Sequence, residues 1–407
     1  MIEKYKYDIR IVVLDDELFM IKLITRLLTG LGFTEVFSHS TAAEAFDSFT
    51  AAACMPDLIL LDLNMPETDG IEFSRYLAAQ GYTGSLILIS GEGERTLQAA
   101  SRLMQAHKIK VLGYLQKPFS PEALKALMTK WMPHVPEQQQ TKTVTYSAEE
   151  VRLAIANGEL VNYYQPKVAL ADGRVVGVET LVRWRHPVDG LVFPDQFIGV
   201  AEAHGLIDDL THSVLHQALA QARVWRDTDI ALQVAVNVSM DNLGVPAFAN
   251  FVIEAAAAAG LSPNSVVLEV TESQLMKDMR VPLEVLTRLR MKHFLLSIDD
   301  FGTGHSSLAQ LRDMPFDELK IDRGFTHGAY GAPTLRAILD SNLSLARQLG
   351  MKVVAEGVEH RADWDFLRST GCEMAQGYFI ARPMPADDLP DWIKTWKERL
   401  KTDILVS

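Results

Sequence analysis

Residues 294–304, FLLSIDDFGTG, begin as an apolar run and end in two adjacent aspartates and a loop with two glycines. Between residues 160 and 400, eight strand-like runs of this kind alternate with helical segments over about 240 residues. Continuous apolar runs are typical of strands that are buried on both faces. The alternation therefore predicts a (β/α)8 barrel of the TIM type.

A shorter alternation precedes the barrel. Residues 9–130 contain the strand candidates IRIVVLDD, PDLILLDLN, SLILIS and VLGYLQK, which predict a doubly wound, flavodoxin-like α/β domain. Two prolines and a glutamine run then indicate a linker, and Ser147 and Glu150 form a predicted capping box at the next helix. We therefore predict a first domain at 1–130, a linker at 131–146 and a barrel domain at 147–400.

Composition narrows the classes of function. The chain has 407 residues, a net charge of −13 and 2 cysteines. The negative charge disfavours a broad nucleic-acid surface, and two cysteines suggest neither a disulfide framework nor a cysteine-based zinc site. The first residues lack the apolar segment of a secretory signal, and no apolar run is long enough to span a bilayer. We expect a cytoplasmic protein that binds neither DNA nor membranes.

Polar side chains stand at the carboxyl ends of the predicted barrel strands, where barrel enzymes carry their sites. These residues are Glu179, Asn237, Glu269, Asp299, Asp300, Lys320, Glu356 and Gln376. Their oxygen atoms, with no histidine or cysteine among them, predict Mg²⁺ or Mn²⁺ rather than Zn²⁺. The adjacent aspartates could flank two ions, an arrangement suited to in-line displacement at phosphorus. Lys320 could position or deprotonate the attacking water, and Arg183 could clamp a substrate phosphate rather than form a surface ion pair.

The first domain has its own group of polar strand ends. Asp15, Asp16 and Asp62 would share one edge of a parallel sheet and would together require a divalent cation. Ser90 and Lys117 end two further strands and could hold phosphoryl oxygens. This group predicts phosphoryl transfer to Asp62.

Residues 9–130 resemble a response-regulator receiver domain, on LDD, LLDLNMPETDG, the serine after LILI, and KPF. The resemblance implies phosphorylation of Asp62 by a histidine kinase or another phosphodonor, and one Mg²⁺ or Mn²⁺ ion. Its implied metal ligands are Asp15, Asp16, Asp62 and the backbone carbonyl of Asn64, and its phosphoryl contacts are Ser90 and Lys117. Tyr114 stands at the position of the switch aromatic, and a packed core tyrosine is an equal alternative.

The barrel region resembles an EAL domain, the cyclic-di-GMP phosphodiesterase family. The resemblance rests on ETLVR at 179–183, NVS at 237–239 and EVTE at 269–272, followed by DDFGTG, LKID, EGVE and QGYFIARP. It implies hydrolysis of one phosphodiester bond of cyclic di-GMP to give linear pGpG.

The same resemblance implies roles for single residues at a two-metal site. The first ion would be held by Glu179, Asn237, Glu269 and Asp299, and the second by Asp299, Asp300 and Glu356. Lys320, with Glu356 and Asp300, would be catalytic, and Lys320 would hold the water. The implied substrate contacts are Leu181, Arg183, Gln376 and Pro383. Glu272 would brace the DDFGTG loop, and Asp322 would either support the ligands or form an ordinary ion pair.

Two residues depart from the family pattern, and other functions stay open. Thr180 stands where the family has alanine, and His305 stands where it most often has tyrosine. We expect the first change to be neutral and the second to affect rate or coupling. We expect a homodimer or higher homo-oligomer whose hydrolysis is controlled by phosphorylation of Asp62. The alternatives are a silent cyclic-di-GMP receptor and a signalling adaptor, although every acid and the lysine of the predicted site are present.

Overall fold

The structure, a computed structural model, describes residues 9–52, 55–131, 146–271, 279–302 and 308–404. The chain divides into two compact units, an N-terminal unit and a barrel unit. Glu272, His305 and all but the two end residues of the predicted linker lie outside the described ranges. Among the described helices, none is both long and apolar enough to cross a bilayer.

The N-terminal unit is a five-stranded parallel sheet with the strand order β2-β1-β3-β4-β5. Its strands are β1 Ile11–Leu14, β2 Val36–His39, β3 Leu58–Asp62, β4 Ser85–Ser90 and β5 Lys110–Gln116. Its helices are α1 Leu18–Gly30, α2 Ala42–Ala52, α3 Gly70–Ala79, α4 Glu94–Ala106 and α5 Pro121–Met128. This order confirms the predicted flavodoxin-like fold.

Both faces of this sheet are covered, which explains the continuous apolar runs. Ile11 and Val13 of β1 pack in the cluster formed with α1 and α5, whereas Val12 and Leu14 pack in the cluster formed with α2, α3 and α4. Successive residues of a strand point to opposite faces, so every position of β1 must be apolar. The edge strand β2 is short and half-exposed. Its sequence, VFSH, has no apolar run from which a strand could be predicted.

The barrel unit contains the remaining elements. Its strands are β6 Leu160–Ala169, β7 Val175–His186, β8 Gly190–Val192, β9 Gln233–Asn237, β10 Val266–Thr271, β11 Leu295–Phe301, β12 Glu318–Ile321, β13 Lys352–Ala355, β14 Met374–Ala375 and β15 Met384–Pro385. Its α-helices are α6 Ala148–Ala156, α7 Ile198–Ala203, α8 Ile207–Asp227, α9 Met240–Leu243, α10 Ala247–Ala258, α11 Arg280–Met291, α12 Leu308–Asp313, α13 Arg323–Thr326, α14 Pro333–Gln348, α15 Arg361–Thr370 and α16 Leu389–Arg399. Short 3₁₀ turns and a final π-helix, Leu400–Ile404, complete it.

Eight strands close the barrel, in the order β6-β14-β13-β12-β11-β10-β9-β7 and back to β6. This closure confirms the predicted eight-stranded barrel. Seven of these strands, β7 and β9 to β14, run parallel to one another. The eighth, β6, is antiparallel to both of its neighbours, β7 and β14. A hairpin therefore replaces the first β/α unit. Because β6 runs in reverse, its Gln165 lies opposite Glu179 at the carboxyl end of the parallel strands.

The start of the barrel unit agrees with the sequence. Ser147 Oγ accepts a hydrogen bond from the backbone of Glu150, and the Glu150 carboxylate accepts one from the backbone of Ser147. This pair is the predicted capping box, and it fixes where α6 begins. The long helix α8 packs its apolar side against the outside of the barrel.

Candidate functional site

One buried lysine organises the carboxyl face of the barrel. Lys320, on β12, is fully buried. Its Nζ atom lies 2.8 Å from Glu356 Oε1, 2.9 Å from Asp299 Oδ1, 3.0 Å from Glu269 Oε2 and 3.6 Å from Glu179 Oε2. These carboxylates come from β7, β10, β11 and the end of β13, so residues far apart in sequence meet around one ammonium group.

Burial and mutual charge shift the pKa values of these groups. Burial alone would lower the pKa of Lys320, but the attraction of Asp299 and the other carboxylates raises it well above its ordinary value. Burial raises the pKa of Glu356 to about 8, against the attraction of Lys320. Lys320 is therefore a protonated hydrogen-bond donor in this arrangement.

The adjacent aspartates reach the same site because β11 is irregular. In a regular strand Asp299 and Asp300 would point to opposite faces. The pairing of β11 with β12 shifts register between Ile298 and Phe301, and Asp300 has a positive φ of 55°. Burial, together with repulsion by Asp299 and Asp322, raises the pKa of Asp300. The backbone irregularity thus puts two like charges side by side, a placement that cations would stabilise.

The oxygen atoms of this face fit two divalent ions. Two groups of carboxylates have ligand atoms within 4.8 Å of one another, and Asp299 belongs to both. The groups are Glu179, Glu269 and Asp299, and Asp299, Asp300 and Glu356. An all-oxygen donor set of this kind suits Mg²⁺ or Mn²⁺.

Two amides extend the donor set. Asn237 Nδ2 donates to Glu179 Oε1 at 3.2 Å, and Gln376 Nε2 donates to Glu179 Oε2 at 2.6 Å and to Gln165 Oε1 at 3.0 Å. The buried Oε1 atom of Gln376 accepts no hydrogen bond from the part of the chain that the structure describes. A buried acceptor left in this state is suited to an ion, a water molecule or a ligand group at the site.

A second buried lysine, absent from the sequence predictions, lies beneath the site. Lys167 Nζ is 3.2 Å from Glu269 Oε1 and 3.1 Å from Glu318 Oε1, and Ser297 Oγ donates to the same Glu318 oxygen at 3.0 Å. Glu269 is therefore held between two lysines, Lys167 and Lys320, and despite burial its pKa is lowered. The available signal was the position of Lys167, two residues after Gln165 on β6, since alternate residues of a strand share a face.

A cavity of about 300 Å³ opens over this face. Its lining consists of Gln165, Glu179, Leu181, Asp299, Asp300, Arg323, Glu356, Gly357, Glu359, Gln376, Gly377 and Tyr378. Two of the predicted substrate contacts, Leu181 and Gln376, thus line it, whereas Arg183 and Pro383 do not. Arg183 instead stacks over the rings of Tyr163 and Phe193 and donates to a backbone carbonyl.

The N-terminal unit has a smaller site at the carboxyl edge of its sheet. Lys117 Nζ lies 2.8 Å from Asp62 Oδ2 and 2.9 Å from Asp15 Oδ2. Carboxylate oxygens of Asp15, Asp16 and Asp62 lie within 4.8 Å of one another. Burial would lower the pKa of Lys117, but Asp62 and Asp15 raise it. We call these four residues the N-terminal site.

The other predicted residues of this unit border the N-terminal site. The backbone N–H of Asn64 donates to Asp62 Oδ1 at 3.2 Å, and its side-chain amide donates to Glu92 at 3.2 Å. Ser90 is fully buried, and its Oγ atom accepts from the backbone of Glu92 at 3.1 Å. Tyr114, on β5, is half-buried and packs against the core beside α4. Ser90 and Asn64 are therefore coupled through one loop residue.

Comparison with known proteins identifies the families of both units. The EAL domain model matches residues 148–383. The chain belongs to the EAL domain family. The response regulator receiver domain model matches residues 11–129, so the EAL domain follows a receiver domain in this chain. Both resemblances predicted from sequence are confirmed.

Named relatives share this layout or part of it. The chain is 35% identical over 393 residues to cyclic di-GMP phosphodiesterase RocR of Pseudomonas aeruginosa, covering 95% of this chain and 98% of RocR. It is 44% identical over 253 residues to cyclic di-GMP phosphodiesterase NbdA of the same organism, covering 61% of this chain and 32% of NbdA. A solved structure, PaMucR phosphodiesterase in complex with c-di-GMP, has 42% identity and a TM-score of 0.57, covering 59% of this chain and 98% of that chain.

Proposed function

We propose that the EAL domain hydrolyses one phosphodiester bond of cyclic di-GMP to linear pGpG. The observation that carries the proposal is the buried Lys320 among four carboxylates under an open cavity. The names of RocR and NbdA, both cyclic di-GMP phosphodiesterases, support it. A receptor that binds the dinucleotide without cleaving it would be expected to have lost one of the acids or the lysine, and all of them are present.

Two Mg²⁺ or Mn²⁺ ions would be held by the two carboxylate groups that share Asp299, with Asn237 beside the first. When bound, these ions supply Lewis acidity toward the phosphoryl oxygens and activate water as a nucleophile. Lys320 donates hydrogen bonds that orient the water and offset charge developing on the phosphate. Glu356 and Asp300 complete the catalytic group, and Gln376 and Leu181 contact the substrate from the cavity wall.

A turnover assay tests the reaction directly. Full-length protein with cyclic di-GMP should release linear pGpG in Mg²⁺ and turn over poorly in Ca²⁺, which prefers more and longer oxygen bonds. Lys320→Ala should lower kcat by about 10²–10³-fold, the usual cost of removing one such donor. Lys394→Ala is the matched control, because Lys394 is an exposed lysine paired with Asp391 on α16.

Two outcomes would replace the proposal by another function. Binding of cyclic di-GMP in Mg²⁺ without pGpG would indicate a receptor. Undiminished function of Glu179→Ala in cells would indicate an adaptor that works by protein contact.

We further propose that phosphorylation of Asp62 controls this hydrolysis. Lys117, close to both Asp15 and Asp62, supports the proposal, since an ammonium group there can hold phosphoryl oxygens. Repacking of Ser90 and Tyr114 would transmit the signal to the loop at 299–307 through a change in subunit arrangement. Beryllofluoride, a phosphoryl mimic, should change the turnover of wild type but not of Asp62→Asn. Equal turnover of treated and untreated wild type would exclude this control.

The proposed setting is the cytoplasm, with the protein as a homodimer or higher homo-oligomer that binds neither DNA nor membranes. The net charge of −13 supports the exclusion of nucleic acid. Sedimentation at several protein concentrations, with and without the phosphoryl mimic, would measure the oligomeric state. A monomer under all conditions would contradict both the assembly and the route of control.

A further inference from the structure

Two histidines and a glutamate meet beside the cavity, and the proposed reaction uses none of them. His327 follows α13, and Glu359 and His360 lie immediately before α15. One possible ligand atom of each lies within 4.8 Å of the other two. Glu359 also lines the cavity over the barrel site. We call these three residues the imidazole cluster.

A buried carboxylate holds all three parts of the imidazole cluster in place. Asp363, only 1% exposed, accepts hydrogen bonds from His327 Nδ1 at 3.0 Å, Gly328 N at 2.9 Å, His360 N at 3.1 Å and Glu359 N at 3.2 Å. Backbone N–H groups can only donate, so both oxygens of Asp363 act as acceptors here. His327 Nδ1 faces one of these oxygens as a donor, which leaves Nε2 as the nitrogen that can face a ligand.

This arrangement has the parts of a metal site. A carboxylate that accepts from one nitrogen of a histidine fixes the ring and its tautomer, as it does behind metal-bound histidines. Two imidazoles and one carboxylate are ligands that favour borderline transition metals over Mg²⁺. We propose that His327, Glu359 and His360 bind one divalent transition-metal ion of the Zn²⁺, Co²⁺ and Ni²⁺ class. This ion would be additional to the two held by the oxygen ligands of the barrel site.

Arg323 would compete only weakly with a metal ion for the carboxylate of Glu359. Arg323 Nη2 lies 2.9 Å from Glu359 Oε1, and 59% of the Arg323 side chain is exposed. An exposed ion pair contributes little to stability, and it uses one of the two Glu359 oxygens. The centroids of the two histidine rings lie 5.3 Å apart. His327 is half-buried and His360 is exposed, so small side-chain rotations can bring one nitrogen of each ring to the same ion.

Binding would connect two loops of the catalytic face. One loop ends α13, and the other joins β13 to α15 and carries Glu356. Thr326, next to His327, already donates a hydrogen bond to the backbone carbonyl of Glu356. An ion at the imidazole cluster would add a second connection between the same loops and should stabilise the folded barrel by mass action.

Cobalt binding tests the site without any assay of hydrolysis. Full-length protein without a polyhistidine tag, kept in excess Mg²⁺ to fill the oxygen sites, is titrated with Co²⁺ while visible absorption is recorded. Wild type should bind one equivalent with the absorption of a mixed nitrogen and oxygen site. His327→Ala and His360→Ala should each weaken binding at least about tenfold, and Asp363→Asn about 10–100-fold, as for other residues behind metal ligands. His204→Ala is the matched control, because His204 is an exposed histidine at the end of α7.

Thermal unfolding gives an independent readout. Zn²⁺ should raise the unfolding midpoint of wild type and of His204→Ala but not of His327→Ala/His360→Ala, whose midpoint without metal shows whether it folds. The proposal is overturned if the double variant binds Co²⁺ with the affinity and spectrum of wild type. It is equally overturned if wild type in excess Mg²⁺ binds no further equivalent.

Discussion

The two units each place one lysine among carboxylates at the carboxyl edge of parallel strands, but at different depths. In the N-terminal site, 16% of the Lys117 side chain is exposed, and it lies between Asp15 and Asp62. In the barrel site, 1% of the Lys320 side chain is exposed, and four carboxylates surround it. The lysine of the shallow site is therefore partly in contact with solvent, although the Asp62 side chain beside it is only 3% exposed. In the deep site the lysine is buried, whereas Asp299 and Glu356 keep 12% and 18% of their side chains exposed toward the cavity.

This difference in depth decides what each charge contributes to stability. Removing one partner of a buried ion pair usually costs about 3–5 kcal/mol, because the other charge stays buried without compensation. Where water reaches the pair it solvates the remaining charge, and the cost falls toward that of a fully exposed pair, about 0–1 kcal/mol. The barrel also places Lys167 beneath Glu269, a second compensation for which the N-terminal site has no described counterpart. Changes in the barrel should therefore have the larger effects.

The largest expected effect follows replacement of Lys167. Lys167→Met leaves Glu318 without its ammonium partner and Glu269 with only Lys320. We expect the free energy of unfolding of the barrel unit to fall by about 3–5 kcal/mol. Urea denaturation followed by the fluorescence of the barrel tryptophans measures it.

Two further variants separate charge from packing. Lys167→Met/Glu318→Gln removes both charges and should recover most of the loss, since the pair is then replaced by neutral groups. Lys117→Met in the N-terminal site should cost less than Lys167→Met, because water that reaches the partly exposed position of Lys117 can solvate the carboxylates left behind. Equal losses for Lys117→Met and Lys167→Met would show that depth does not control the two sites.

Divalent ions should produce the next largest effect. A ligand that binds only the folded state stabilises it by about 2.7 kcal/mol at 100 times its dissociation constant. Saturating Mg²⁺ should therefore raise the free energy of unfolding of the barrel unit, and EDTA should reverse the change. In Lys320→Met the gain should be larger, because the four carboxylates then have no ammonium to neutralise them. A midpoint of unfolding that does not respond to millimolar Mg²⁺ would contradict a metal site on this face.

Much of both sites could be predicted from sequence because the strands change from apolar to charged where they leave the core. Asp62, Glu269 and Asp299 each directly follow an apolar residue of a predicted strand, at a place where strand packing does not require a charge. Lys167 was missed because a single lysine within a strand is usually on its solvent side. The imidazole cluster was missed because His327 and His360 are joined only by folding, through contacts with Asp363.

The reversed direction of β6 and the irregularity in β11 were also beyond the sequence patterns. Alternation of strands and helices predicts how many strands there are, but not that the first one runs antiparallel. Two adjacent aspartates predict a shared site only if the chain bends between them. That bend depends on how β11 pairs with β12, which is a long-range contact.

Replacement of Asp300 tests that bend at a smaller scale. Its positive φ is tolerated by aspartate and asparagine better than by alanine. Asp300→Ala should therefore destabilise the metal-free barrel by about 1 kcal/mol more than Asp300→Asn, whereas both should lose hydrolysis. Urea denaturation in EDTA compares the two variants. Equal stability would mean that the backbone at this position relaxes without cost.

The smallest effect is expected from replacement of Thr180. This variant compares a buried uncharged polar side chain with the buried carboxylate next to it in the sequence. Thr180 and Glu179 are neighbours on β7, 2% and 7% exposed, yet they face different surroundings. The Thr180 hydroxyl makes no hydrogen bond within the described ranges, and Thr180 stands where the family pattern has alanine.

Thr180→Ala removes an unpaired buried polar atom, which should stabilise the fold, and also a methyl group, which should destabilise it. Because the two effects offset each other, the free energy of unfolding should change by less than about 1 kcal/mol. Turnover of cyclic di-GMP should not change, because the carboxylate of Glu179 keeps its contacts with Asn237 and Gln376. A loss in either measurement would mean that the hydroxyl itself supports the site, and that charge alone does not distinguish the two neighbours.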